Sequence, residues 1–163
     1  SPEVQKEQEW KDKMDFVKYS RLNLPGQKCI DFTVKGHDGK EIRLSDLLAK
    51  NKLVLIDFWA SWCGPCRGEI PHLKHVYQNY KDKGFEIISV SIDQKNKDWQ
   101  KAMKEEKMPW IQLNDPQGEN GPAIQVYNVT GVPHCILLDK EGKIFKTNMR
   151  GAYLDAALEQ LIP

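Results

Sequence analysis

Of the four cysteines, Cys29, Cys63, Cys66 and Cys135, two stand at a spacing that can do chemistry. In Cys63-Gly64-Pro65-Cys66 two residues separate the sulfurs, which suits either metal chelation or reversible disulfide exchange. A structural zinc site needs a second close pair of ligands. Neither Cys29 and Cys135 nor the four histidines supply one, so no metal and no cofactor is expected. Exchange asks for a nucleophilic thiolate and a partner thiol in reach. The motif follows the apolar run Leu53–Ala60, and Pro65 can open the next helix. A helix start offers unpaired amides and the positive end of the dipole, favouring a thiolate on Cys63. Cys66, one turn further on, is placed to attack a mixed disulfide formed at Cys63. Position predicts an exposed Cys63 and a covered Cys66.

The surrounding pattern says what must hold the pair. Leu53–Ala60 and Phe85–Asp93 read as strands buried on both faces, the habit of parallel strands in α/β folds. Between them Ile70, Leu73, Val76, Tyr77 and Tyr80 recur at helical spacing, with Gly84 as the cap. This is a βαβ unit. Ahead of it, Phe32 and Val34 alternate with polar residues, as do Ile42 and Leu44 beyond Asp38-Gly39, which predicts a hairpin. Ser45 is the expected N-cap of a short helix through Leu48. Downstream, a helix over 97–107 carries Trp99, Ala102 and Met103, and a turn-rich loop over 114–122 leads to a short helix near 124–127. Gly131-Val132-Pro133 introduces a strand over 135–138, and Asp139–Gly142 turns it into Ile144-Phe145. A last helix shows Tyr153, Leu154, Ala157, Leu158 and Leu161 on one face. Residues 1–24 form a separate N-terminal helix and linker, with Trp10, Met14 and Val17 as a stripe expected to dock on the domain at 25–163.

Composition agrees with one domain of 163 residues, 40% hydrophobic. Lys and Arg number 24 and Asp and Glu 23, a net charge of +1, which argues against nucleic-acid binding. No apolar run approaches the ~20 residues of a membrane span. The chain opens Ser1-Pro2-Glu3, with neither an initiator Met nor a leader, and is expected to be a mature or excised form.

The stretch Phe58-Trp59-Ala60-Ser61-Trp62-Cys63-Gly64-Pro65-Cys66 resembles the active-site segment of thioredoxin-fold thiol–disulfide oxidoreductases. Val132-Pro133 falls where that family keeps a cis-proline facing the disulfide, and Pro71 matches the proline of its active-site helix. The early hairpin, the insertion over 95–125 and the phrases Asp31-Phe32-Thr33 and Asp38-Gly39-Lys40 resemble the TlpA and ResA type, which is related to AhpC/TSA. The resemblance implies a thioredoxin-like central mixed β-sheet flanked by helices, with an added N-terminal β-hairpin and an inserted helical segment. It further implies a monomeric reductase of protein disulfides in the bacterial periplasm or envelope, anchored upstream of this chain. Such proteins draw on a membrane-bound or soluble thiol donor and serve, among other tasks, cytochrome c maturation.

By the same resemblance Asp57 is the buried acid that moves the proton of the resolving thiol. Glu69 matches an acidic residue near the active site, against the plainer reading of a solvated first-turn residue. Trp62, Gly64, Pro65, Val132 and Pro133 are the expected substrate contacts, while Trp59 is structural and Trp99 and Trp110 pack within the insertion. His72 and His75 read as a solvated helix face. His134 is either a tuner of Cys63 or an exposed bystander. Cys29 and Cys135 are expected as separate free thiols rather than a second disulfide. Three other readings compete. A peroxiredoxin needs Thr three residues before its cysteine, and here Ala60 stands there. An oxidase or isomerase fits the Gly-Pro pair less well, since thioredoxin-type motifs are the more reducing. The third is a non-enzymatic redox-sensing or metal-handling module.

Overall fold

Leu53-Val54-Leu55-Ile56-Asp57-Phe58-Trp59 has one polar residue in seven, and all seven are buried. A strand of that kind belongs in the middle of a sheet. The computed structural model describes residues 2–11, 24–35 and 39–163. Residues 2–11 form helix α1, and the hairpin is β1 (Thr33–Lys35) paired antiparallel with β2 (Glu41–Arg43). Then come α2 (Leu44–Leu48), β3 (Leu53–Trp59), α3 (Gly64–Tyr80) and β4 (Phe85–Ser91). The rest is α4 (Asn96–Glu106), β5 (Ile111–Asn114), α5 (Pro122–Val126), β6 (His134–Asp139), β7 (Ile144–Thr147) and α6 (Ala152–Leu161).

The five-stranded sheet runs β5-β4-β3-β6-β7. Strands β3, β4 and β5 are parallel; β6 and β7 run antiparallel to their neighbours. This mixed sheet is the thioredoxin-like architecture expected. Alternation along β3 divides the core into two layers. Val54, Ile56 and Phe58 face Leu44, Trp99, Ala123 and Tyr127, whereas Leu53 and Leu55 face Ile70 and Leu73 of α3 and Leu154 and Leu158 of α6. Asp57 continues the second row, so its carboxyl lies on the face covered by α3 and α6.

Several expectations need correction. β5 was not foreseen; Ile111 and Leu113 alternate with Gln112 and Asn114, but the run has only four residues. Ser45 does not cap α2, whose N-cap is Arg43 without a side-chain bond. Instead the Asp31 carboxylate accepts from the Ser45 amide at 3.0 Å and from its hydroxyl at 2.8 Å, doing the cap's work from across the hairpin. Trp10 is 70% exposed and does not dock, while Met14 and Val17 lie outside the described residues. Tyr153 is exposed too, so α6 buries Leu154, Ala157 and Leu158 without it. Gly84, at φ 97°, ends the turn after α3 in the left-handed conformation that glycine adopts freely. Among the described residues no helix is long and apolar enough to cross a membrane.

Candidate active site

Cys63 is the N-cap of α3, and Pro65 lies in its first turn, where a missing N–H costs nothing. Cys63 and Cys66 are bonded, with S–S 2.07 Å and Cα–Cα 5.3 Å. The Cys66 amide donates to Cys63 Sγ at 3.3 Å, so an N–H of the first helical turn points at that sulfur. Exposure does not separate the pair, contrary to expectation: Cys63 is 5% and Cys66 4% accessible in this bonded form. Both cysteines belong to the core cluster that holds Phe58, Trp59 and Ala60. Gly64 and Pro65 are exposed beside them, and Trp62 projects into solvent.

The turn is held by a buried carboxylate that sequence reasoning passed over. Asp93 accepts from the Ser61 amide (2.9 Å), the Ser61 hydroxyl (2.6 Å) and the Ser91 hydroxyl (2.7 Å). Arg67, in the first turn, bonds Glu105 and Glu106 at 2.6 Å each and ties α3 to α4. Two adjoining recesses share Ile92 and Glu119 in their walls. A cleft of about 450 Å³ lies between Trp62 and the segment from Ile92 to Lys95, rimmed by Asp98 and Glu119. A smaller recess of about 230 Å³ reaches Val129, Gly131 and Val132. The Val132–Pro133 bond is cis, as expected, and both residues are half-buried.

Asp57 is buried beneath this surface, and burial pushes its carboxyl up to about 7. The Ser89 hydroxyl, donating at 3.0 Å, works against that rise, as does Arg150; the charge of Glu69 adds to it. Glu69 is not a plainly solvated residue, because Oε1 accepts from the Gly151 amide at 3.0 Å and bonds His72 Nδ1 at 2.9 Å.

His72 corrects the solvated-face expectation. Its two ring nitrogens sit 2.9 Å from carboxylate oxygens of Glu69 and Asp155, an arrangement that suits the doubly protonated ring. Burial lowers its pKa, but the bonds and charges of Asp155 and Glu69 outweigh it and the net shift is upward. A group whose folded pKa is raised stabilises fully below its unfolded value, ~6.5. That stabilisation is lost as pH rises through the folded value. His72→Ala should therefore cost more stability at pH 6 than at pH 9, by on the order of 1 kcal/mol. Equal losses at both pH values in thermal unfolding would refute the pairing. His75 is exposed, as expected.

His134 is no bystander in solvent, since its ring packs 6.2 Å from that of Phe58 and burial holds its pKa down. Cys29 and Cys135 are unbridged, as expected. Burial pushes the Cys135 thiol up to about 12, and it donates to the Met149 carbonyl at 3.0 Å. Trp59 is structural and deep in the core. Trp110 does not pack within the insertion alone: its ring meets Tyr77 of α3 edge-on at 5.6 Å.

The AhpC/TSA family model matches residues 25–147. The thiol-disulfide oxidoreductase ResA of Bacillus thuringiensis subsp. konkukian is 31% identical over 147 residues, covering 90% of this chain and 81% of that protein. Among solved structures, the thioredoxin domain of a thiol-disulfide oxidoreductase from Bacteroides vulgatus superposes with TM-score 0.78 at 36% identity, covering 86% of this chain and 99% of that one. A thiol:disulfide interchange protein from a Bacteroides species gives 0.74 at 37% identity, covering 85% and 90%. With a mixed sheet of the same architecture and a paired Cys63–Cys66 at the head of α3, the chain belongs to the AhpC/TSA family, as a ResA-like thiol–disulfide oxidoreductase with a thioredoxin fold.

Proposed function

We propose that this oxidoreductase works as a reductase of protein disulfides in the cell envelope, with Cys63 as nucleophile, Cys66 as resolving thiol and Asp57 as proton acceptor. The observation that carries the assignment is the Cys66 amide aimed at Cys63 Sγ: it stabilises negative charge on the first sulfur. In the cycle the Cys63 thiolate attacks a substrate disulfide, forming a mixed disulfide and releasing one substrate thiolate. Cys66 then loses its proton to Asp57 and attacks Cys63 Sγ. The second substrate thiol leaves, and the Cys63–Cys66 disulfide remains. Two electrons have passed to the substrate, and a dithiol donor must return them.

Trp62, Gly64 and Pro65 supply the exposed rim against which a polypeptide docks, and Val132 and Pro133 the opposite wall. Glu69 contributes charge next to Asp57. The setting outside the cytoplasm and a part in cytochrome c maturation rest on the resemblance to the ResA type. The working unit is a monomer. Reduction of insulin in the presence of dithiothreitol tests the activity. Acceleration over dithiothreitol alone is expected; no acceleration, or turnover of hydrogen peroxide in its place, would overturn the reading.

A further inference from the structure

Across the face of the sheet beneath α3 and α6, strand register sets Ser89 of β4 and Cys135 of β6 directly beside Asp57. The row is polar where the next row on this face, Leu55, Ile87 and Leu137, is aliphatic, and polar groups buried against aliphatic ones need partners. Asp57 finds its partner in Ser89, whose Oγ lies 3.0 Å from Asp57 Oδ2. Ser89 has one of its own: Trp110 Nε1 donates to the same Oγ at 2.8 Å. Ser89 is wholly buried and Trp110 is 5% exposed.

The direction of this chain follows from chemistry. An indole N–H can only donate, so Ser89 Oγ must accept it. The single hydroxyl proton is then left to point at the carboxylate. We propose that Ser89 and Trp110 are positioning residues for the thiol–disulfide reaction, forming a one-way relay of hydrogen bonds, indole to hydroxyl to carboxylate, that orients the Asp57 carboxyl and sustains its charge. Trp110 is held for this by Tyr77 of α3, and it immediately precedes β5, so the inserted segment brings it back to the sheet. The relay deepens the proposed role of Asp57 as proton acceptor and rests on it.

Other charges bear on Asp57 as well. Glu69 of α3 disfavours its ionised form, Arg150 beyond β7 favours it, and the Cys135 thiol stays neutral with its pKa at about 12. In the oxidised protein Cys63 and Cys66 are bonded and do not titrate. Carboxyl ¹³C NMR of the oxidised protein therefore follows Asp57 itself. Ser89→Ala, which removes the donor to the charged form, should raise the Asp57 midpoint by about one pH unit. Trp110→Phe keeps a ring against Tyr77 and removes the N–H; a smaller rise in the same direction is expected.

A merely structural role would lower Tm and leave both midpoints where the parent has them, and that result would overturn the relay. A rise in Ser89→Ala with none in Trp110→Phe would overturn the part given to Trp110. Failure of the underlying reading looks different: Asp57→Asn would turn over substrate like the parent, whatever the NMR midpoints show.

Discussion

Cys63→Ser should abolish reduction of protein disulfides, with turnover falling by at least about three orders of magnitude, because a serine hydroxyl is no nucleophile toward sulfur near neutral pH. Cys66→Ser should fail in another way. The first attack needs only Cys63, whose sulfur would still accept the amide at the head of α3. The mixed disulfide then has no internal thiol to resolve it and should accumulate. Mass spectrometry after mixing with a disulfide-bonded substrate would show a covalent adduct on Cys63 in Cys66→Ser and none in Cys63→Ser. The contrast is sharper than any difference in accessibility could make it, since both cysteines are buried to nearly the same degree in the bonded form. An adduct on Cys66 in Cys63→Ser, formed as fast as that on Cys63, would reverse the assignment of roles.

How much of this site could be read from the chain depends on the range of the contacts involved. The Cys63–Cys66 pair, its strand and its helix are local features: an apolar run, a proline in the first turn and aliphatics at helical spacing. All of them stand as expected. β5 carries the alternation of a strand in Ile111 and Leu113, but it is only four residues long, where periodicity is a weak signal. The supports of the site were not legible at all. Ser61 meets Asp93 across 32 positions, His72 meets Asp155 across 83, and Trp110 meets Ser89 across 21. Each bond exists because the sheet order brings those segments together, and no pattern along the chain announces it. Ser45 illustrates the same limit. Its type suits a cap, yet tertiary structure brought in Asp31 and made Ser45 the donor.

Asp57→Asn should slow substrate reduction while making the protein more stable, and the two effects have one cause. Burial on the face of the sheet covered by α3 and α6 pushes the carboxyl from an ordinary 3.8 up to about 7, so the folded state holds a proton that the unfolded chain releases. Between those values the native protein binds more protons, and stability falls as pH rises through the window. Below about 4 both states are protonated and the penalty vanishes; above about 7 it is complete. Three pH units correspond to roughly 4 kcal/mol. Asparagine carries no charge to desolvate, and its amide oxygen can still accept from Ser89. The variant should thus gain stability against urea at pH 8, by at most that amount, and little at pH 4. Activity moves the other way. A carboxyl titrating near 7 is suited to take the proton of Cys66, and losing a general base costs on the order of 10²-fold or more. The loss should be concentrated in the resolution step, with the mixed disulfide on Cys63 lasting longer in the variant than in the parent. Unchanged urea midpoints at pH 8 would show that Asp57 carries no such penalty in the native protein. Unchanged lifetimes of the mixed disulfide would give the proton of Cys66 to some other acceptor.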